Sequence, residues 1–144
     1  MVEVLIAGIL LASALTAVSR LSIAALNGSA RLSDRARIEA AIYENIQTIQ
    51  KEDSYFTDTW ITDNHGKEAL QNACKDPIDA LSNHLDAVVP APGDEAINRT
   101  FDRNSIPGIL RIVYSFEAPE QPVKKELRMI EMSPNFSANC YNTI

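Results

Sequence analysis

No proline interrupts residues 1–50, and the only glycines there are Gly8 and Gly28. The strongest helix breaker is therefore missing from a third of the chain. Charge is missing as well, for none stands between Glu3 and Arg20. Cysteine is confined to Cys74 and Cys140, neither in a C-x-x-C nor in a His-flanked spacing, which excludes zinc and thioredoxin motifs and leaves one disulfide or two thiols. A bridge would enclose roughly 65 residues, remove about 4 kcal/mol of unfolded-state freedom and require an oxidising compartment.

Positive charge is also scarce. The 13 Lys and Arg against 19 Asp and Glu give a net charge of -6 and a pI near 4.8. Without clustered cations a nucleic-acid groove is not expected. There is no H-E-x-x-H, no glycine-rich phosphate loop and no G-x-S-x-G elbow, so no catalytic residue, metal or cofactor is expected and the chain does not read as an enzyme. His65 and His84 lack partners at metal-ligand spacing and read as surface or turn histidines. Asp58, Asp63, Asp94 and Glu95 form no D-x-D-x-D-G pattern and read as solvated loop acids. The N-x-S/T triplets at Asn27, Asn98 and Asn135 are weak three-letter matches.

The chain itself begins with "MVEVLIAGILLASALTAVSR". Val2 to Ser19 is about 18 residues, near the lower limit for crossing a hydrocarbon core of about 30 Å. Three readings compete. A signal peptide would have a basic start and an A-x-A site, and this segment has neither. A plain transmembrane anchor explains the apolar run but not Glu3, which costs about 2.5 to 3.5 kcal/mol if carried to mid-bilayer. The third reading depends on the residues after Arg20.

Those residues continue the helix. Ile38, Ile42, Ile46 and Ile49 repeat on one helical face, while Arg31, Asp34, Arg35, Arg37 and Glu44 lie off it or at its edge. A helix from Val2 to Lys51 would be about 75 Å long, apolar all round at first and amphipathic later. It needs an apolar matrix at one end and a globular head at the other.

The stretch "VEVLIAGILLASALTAVSRL" resembles the N-terminal segment of type IV pilins and pseudopilins, with Glu3 at the family's glutamate. The resemblance is specific over roughly the first 25 residues. It implies a leader removed by a prepilin peptidase, a mature, methylated N-terminus upstream of Met1, and helix-to-helix assembly with identical or related pilin subunits. Glu3 would be the assembly residue. Val2, Val4, Leu5, Ile6, Ile9, Leu10, Leu11, Leu15 and Val18 would form the filament-core helix, and Cys74 and Cys140 would be bonded. The subunit would sit in the inner membrane before assembly and on the cell surface in the pilus afterwards, with adhesion, motility or DNA uptake as its work. A pseudopilin of a type II secretion system or a minor pilin is the alternative within that family. A non-polymerising, membrane-anchored binding domain is the alternative outside it. The family's main pilins often carry a proline in the transmembrane half; here any local melting would use Gly8, Thr16, Ser19 or Gly28.

Residues 1–25 are expected to be the membrane and filament-core half of the helix, and 26–144 the head with the amphipathic half. "KEDSYFTDTWITDNHG" reads as a polar connection with Trp60 as its largest buried candidate. "DPIDALSNHLDAVV" reads as a helix capped by Asp76, with Pro77 in its first turn and Ile78, Leu81, Leu85 and Val88 on one face. "PAPGDEAINRTFDRNSIPG" reads as irregular, with Ile97 or Phe101 plugging the core. "ILRIVYSFE" alternates as a strand, with Leu110, Ile112, Tyr114 and Phe116 on one face. "VKKELRMIEM" reads as its antiparallel partner, with Leu127 and Met129 on one face and Ile130 breaking the alternation through a bulge. "SPNFSANCYNTI" reads as a tail tied down by its cysteine. The fold expected is α+β, a long helix against a small antiparallel sheet to which the less readable segments add a strand or two.

Overall fold

A computed structural model describes residues 2–142, and the side chains of all of these except 2–5, 122, 141 and 142. The architecture is α+β, with a long N-terminal helix α1 (Val2–Tyr55) followed by α2 (Asp58–His65), α3 (Lys67–Lys75) and α4 (Pro77–Val88). The strands β1 (Asn98–Asp102), β2 (Leu110–Ala118) and β3 (Gln121–Met132) form one antiparallel sheet in the order β1-β2-β3, and a 3-10 helix, Asn135–Asn142, closes the chain. The chain divides into two compact units between Arg37 and Ile38. The second unit begins where the isoleucine stripe begins.

In that second unit Ile38, Ile42 and Ile49 are buried and Ile46 packs half-buried against the core, as their spacing predicts. Each fully buried side chain of this size is worth about 1.5 to 3 kcal/mol. Helix α1 runs on to Tyr55, past the expected Lys51.

The expected polar connection is helical instead. The Thr57 hydroxyl accepts a hydrogen bond from the Trp60 amide at 3.1 Å and starts α2, whose single buried residue is Ile61. One buried residue per two turns leaves almost no periodic signal. Gly66, at φ 85 and ψ 170, ends α2 and opens α3 in a backbone region that is essentially reserved for glycine. Trp60 is half-buried.

Helix α4 starts as read, with the Asp76 carboxylate accepting from the Asp79 amide at 3.1 Å and Pro77 in the first turn. Ile78, Leu81 and Leu85 are buried, but Val88 is 46% exposed and Val89 takes its place at 2%. The reason is local: Val89 is the C-cap and turns to extended backbone, which swings its side chain inward.

The inner row of β2, Leu110, Ile112, Tyr114 and Phe116, is buried as expected. Strand β1 comes from the stretch expected to be irregular; Ile97 is buried just before it, and Phe101 packs half-buried against the core. Leu127 and Met129 of β3 share one face as expected, and it is the outer one. Leu110 pairs with Met132 and Ile112 with Ile130, so Ile130 and Met132 face the core while Leu127 and Met129 are 52% and 57% exposed. No bulge falls at Ile130; the irregularity lies at Glu117/Ala118, beside the hairpin turn. Register fixed at the turn sets the facing of every later residue in the strand. Arg128 thereby falls opposite Tyr114, reaching Glu39 of α1 at 2.5 Å and lying 5.5 Å from the Phe116 ring centroid.

The closing segment is more than a tail, since Phe136 is 1% exposed in the core and Cys140 bonds to Cys74 of α3 at 2.08 Å.

Asn45 is the polar group that the stripe reading missed. It is 6% exposed on the buried face of α1. Its Nδ2 donates to the Pro90 carbonyl at 2.9 Å, and its Oδ1 accepts from Arg99 Nη1 and from the Tyr114 hydroxyl, each at 3.0 Å. Arg99 also donates to the Val89 and Pro90 carbonyls. Burial pushes the Tyr114 hydroxyl up to about 12 and lowers the Arg99 guanidinium.

His84 also departs from its surface reading. Its ring stacks on Phe56 at 4.1 Å and meets the edge of Trp60 at 5.2 Å, while His65, 5.3 Å from Trp60, is exposed. Burial lowers the His84 pKa below its ordinary 6.5, opposed by Glu52 and reinforced by His65.

Two outcomes are expected. Asn45→Ala strands the buried Tyr114 hydroxyl and should cost about 2 to 3 kcal/mol in urea denaturation, against about 1 kcal/mol for Tyr114→Phe. Equal costs would contradict the junction described. Because the folded pKa of His84 lies below its unfolded value, its contribution to stability is complete above 6.5 and is lost as pH falls through the lowered value. Melting temperatures should decline from pH 6.5 downwards, and His84→Gln should flatten that decline; an unchanged slope would count against it.

Candidate membrane-anchoring and assembly surface

The first unit consists of helix α1 up to Arg37. Its backbone stays helical through Thr16 to Gly28, without a break. Four hydroxyls in it bond within the helix: Ser13 donates to the Leu10 carbonyl, Thr16 to Ser13, Ser19 to Leu15 and Ser22 to Val18, at 2.8 to 3.0 Å. A helix that bonds its own polar side chains to its own carbonyls suits surroundings that offer no water.

Of the expected filament-core residues, Ile6, Ile9, Leu10, Leu11, Leu15 and Val18 are all exposed, from 53% for Ile6 to 69% for Ile9. Val2, Glu3, Val4 and Leu5 belong to the helix, and their side chains lie outside the described residues. The apolar surface does not end there. Leu21, Ile23, Leu26 and Leu32 are 60% to 70% exposed as well. Leu21 and Ile23 fall within the expected membrane half, residues 1–25, and Leu26 and Leu32 extend the apolar surface beyond it. Among the described residues this helix alone is long and apolar enough to cross a membrane. A contiguous apolar surface of this length is far larger than soluble monomers expose.

The remaining candidates are dispersed. Among the described residues no group of three or more His, Cys, Asp or Glu could hold a metal ion. Asp58, Asp63, Asp94 and Glu95 are not brought together, and Asp94 caps the Ala96 amide at 3.0 Å. A shallow cleft of about 340 Å³ runs beside Asn45, between α1 and Pro90–Gly93, with Glu44 as its one charged wall. Cys74 and Cys140 are the expected site residues that the structure joins.

Comparison with protein-family models, with curated proteins and with solved structures finds no match to the chain.

The surface yields a direct expectation. Leu11→Arg places a charge near the centre of the apolar run and should cost about 2.5 to 3.5 kcal/mol of insertion. The variant should move largely from the carbonate-resistant membrane fraction to the wash, while Ser13→Ala stays with the membrane. Retention of Leu11→Arg equal to wild type would argue against a membrane span here.

Proposed function

We propose that the chain is the structural subunit of a type IV pilus-like extracellular filament, held in the inner membrane by α1 before assembly. The observation that carries this reading is the length of the bare apolar helix. A bilayer needs about 20 residues, so a span that starts at Val2 is complete near Leu21. Ile23, Leu26 and Leu32 lie beyond it and remain exposed. A plain anchor leaves them in water; packing of α1 against the helices of other copies covers both stretches at once. The resemblance of "VEVLIAGILLASALTAVSRL" to the pilin N-terminus supports the same reading, as does a disulfide suited to an oxidising compartment.

Glu3 has its place in this reading. The filament interior is as poor in water as a bilayer, so an isolated carboxylate needs a cation close by. Arg20 is about 25 Å along the helix at 1.5 Å per residue, too far to serve. The α-amino group of a processed N-terminus, of the same chain or of its neighbour, is the partner this reading supplies, and the pairing sets the axial register of each arriving subunit.

Glu3→Ala should therefore leave the head folded and the helix inserted while filament yield falls severely. Electron microscopy of surface-sheared material reads the yield, and the membrane fraction reads insertion. Thin filaments containing this chain at normal yield from Glu3→Ala would remove the role given to the acid; absence of any filament from wild type would remove the proposal.

A further inference from the structure

Charge is unevenly placed along the chain. Residues 20–37 carry four arginines and one acid, whereas residues 58–95, which hold α2, α3, α4 and the loop after them, carry eight acids and two lysines; one of these acids, Asp79, is paired with Arg103. The region of the sheet and the C-terminal segment, residues 98–144, is nearly neutral, with six cations and five acids. The positive and negative excesses thus belong to different compact units. Asp34 lies 3.7 Å from Arg37, with both side chains more than half exposed, a pairing of the kind worth well under about 1 kcal/mol.

Anchoring does not account for these arginines. Lys and Arg favour the cytoplasmic flank of a span, so a head on the other side holds the four arginines against that tendency. The same stretch exposes Leu21, Ile23, Leu26 and Leu32. Exposed apolar area beside a set of like charges is an interaction surface with a directional component.

We infer that the arginine-bearing stretch of α1, residues 20–37, docks on the acidic face made by helices α2–α4 and the loop after them in a second copy of this chain. The inference rests on the filament reading and specifies which surfaces meet. Its two surfaces are different parts of one chain, so each copy gives one and receives the other. Such a contact is heterologous and does not close on itself as a two-fold dimer does. The apolar residues of this stretch pack against the α1 helices of other copies; the arginines steer the approach and reject a copy in the wrong orientation.

Full-length protein in detergent, assembled by detergent removal at about 50 mM and about 500 mM NaCl, tests this, because the Debye length contracts from about 14 Å to about 4 Å between them. Sedimentable filament should fall about tenfold at high salt. Arg31→Glu, Arg35→Glu and Arg37→Glu combined should assemble poorly alone, as should Asp63→Lys, Glu68→Lys and Glu95→Lys combined, and a mixture of the two should recover assembly. Melting temperature and the disulfide report that each variant is folded. Wild type that assembles regardless of salt, with both folded reversal variants assembling normally, overturns the docking and leaves the filament reading in place. Folded variants that fail alone and do not recover on mixing also overturn it. Wild type that assembles at neither salt overturns the filament reading and this inference with it.

Discussion

One carboxamide holds the head in register. Asn45 stands on the isoleucine face of α1 and bonds to a loop carbonyl, to an arginine of β1 and to a tyrosine of β2. A seam of isoleucines alone tolerates small rotation and sliding, since apolar contacts are not directional. A buried amide does not, because a shift breaks three hydrogen bonds at once and strands the buried Tyr114 hydroxyl. Helix, loop and sheet are thus fixed by a group of a few atoms, and the apolar contacts around it supply the bulk of the stabilisation.

The environment of α1 changes within one continuous helix. From Ile6 to Arg37 its large apolar side chains are exposed and the hydroxyls of Ser13, Thr16, Ser19 and Ser22 bond to its own carbonyls; from Ile38 its apolar stripe is covered by the head. Neither part explains the other. The second builds a folded unit with its own core, and the first presents an exposed apolar surface long enough to cross a membrane.

Much of this is legible from residue order, and the exceptions have physical causes. The isoleucine spacing in α1, the alternation in β2 and the Asp76-Pro77 start of α4 are signals of long, strongly periodic elements, and each appears where its residues place it. Helices α2 and α3 are hidden because they are short and one of them buries a single residue. The face of β3 is misleading because Leu127 and Met129 look like core residues, whereas the turn-set register decides and puts Arg128 inward. Asn45 is invisible because a lone polar residue on an apolar stripe carries no mark of its distant partners. Of the candidate surface, the apolar run is legible as far as residue 25, and the exposure of Leu26 and Leu32 beyond it is not. With no other cysteine in the chain, residue order leaves Cys74 and Cys140 as one disulfide or two thiols; the resemblance implies the bond, and the structure forms it.

That disulfide also determines how the head would respond to being pulled. It joins residues 66 apart, from α3 to the closing 3-10 helix, with α4 and the whole sheet between them. Tension applied between α1 and the C-terminal end would pass through the bridge and bypass the enclosed segment. At up to about 3.6 Å per extended residue, roughly 240 Å of chain is withheld from stretching. Only the residues ahead of Cys74 and the few after Cys140 could lengthen, so the head would yield by losing α2 and α3 from its side while the sheet kept its covalent closure.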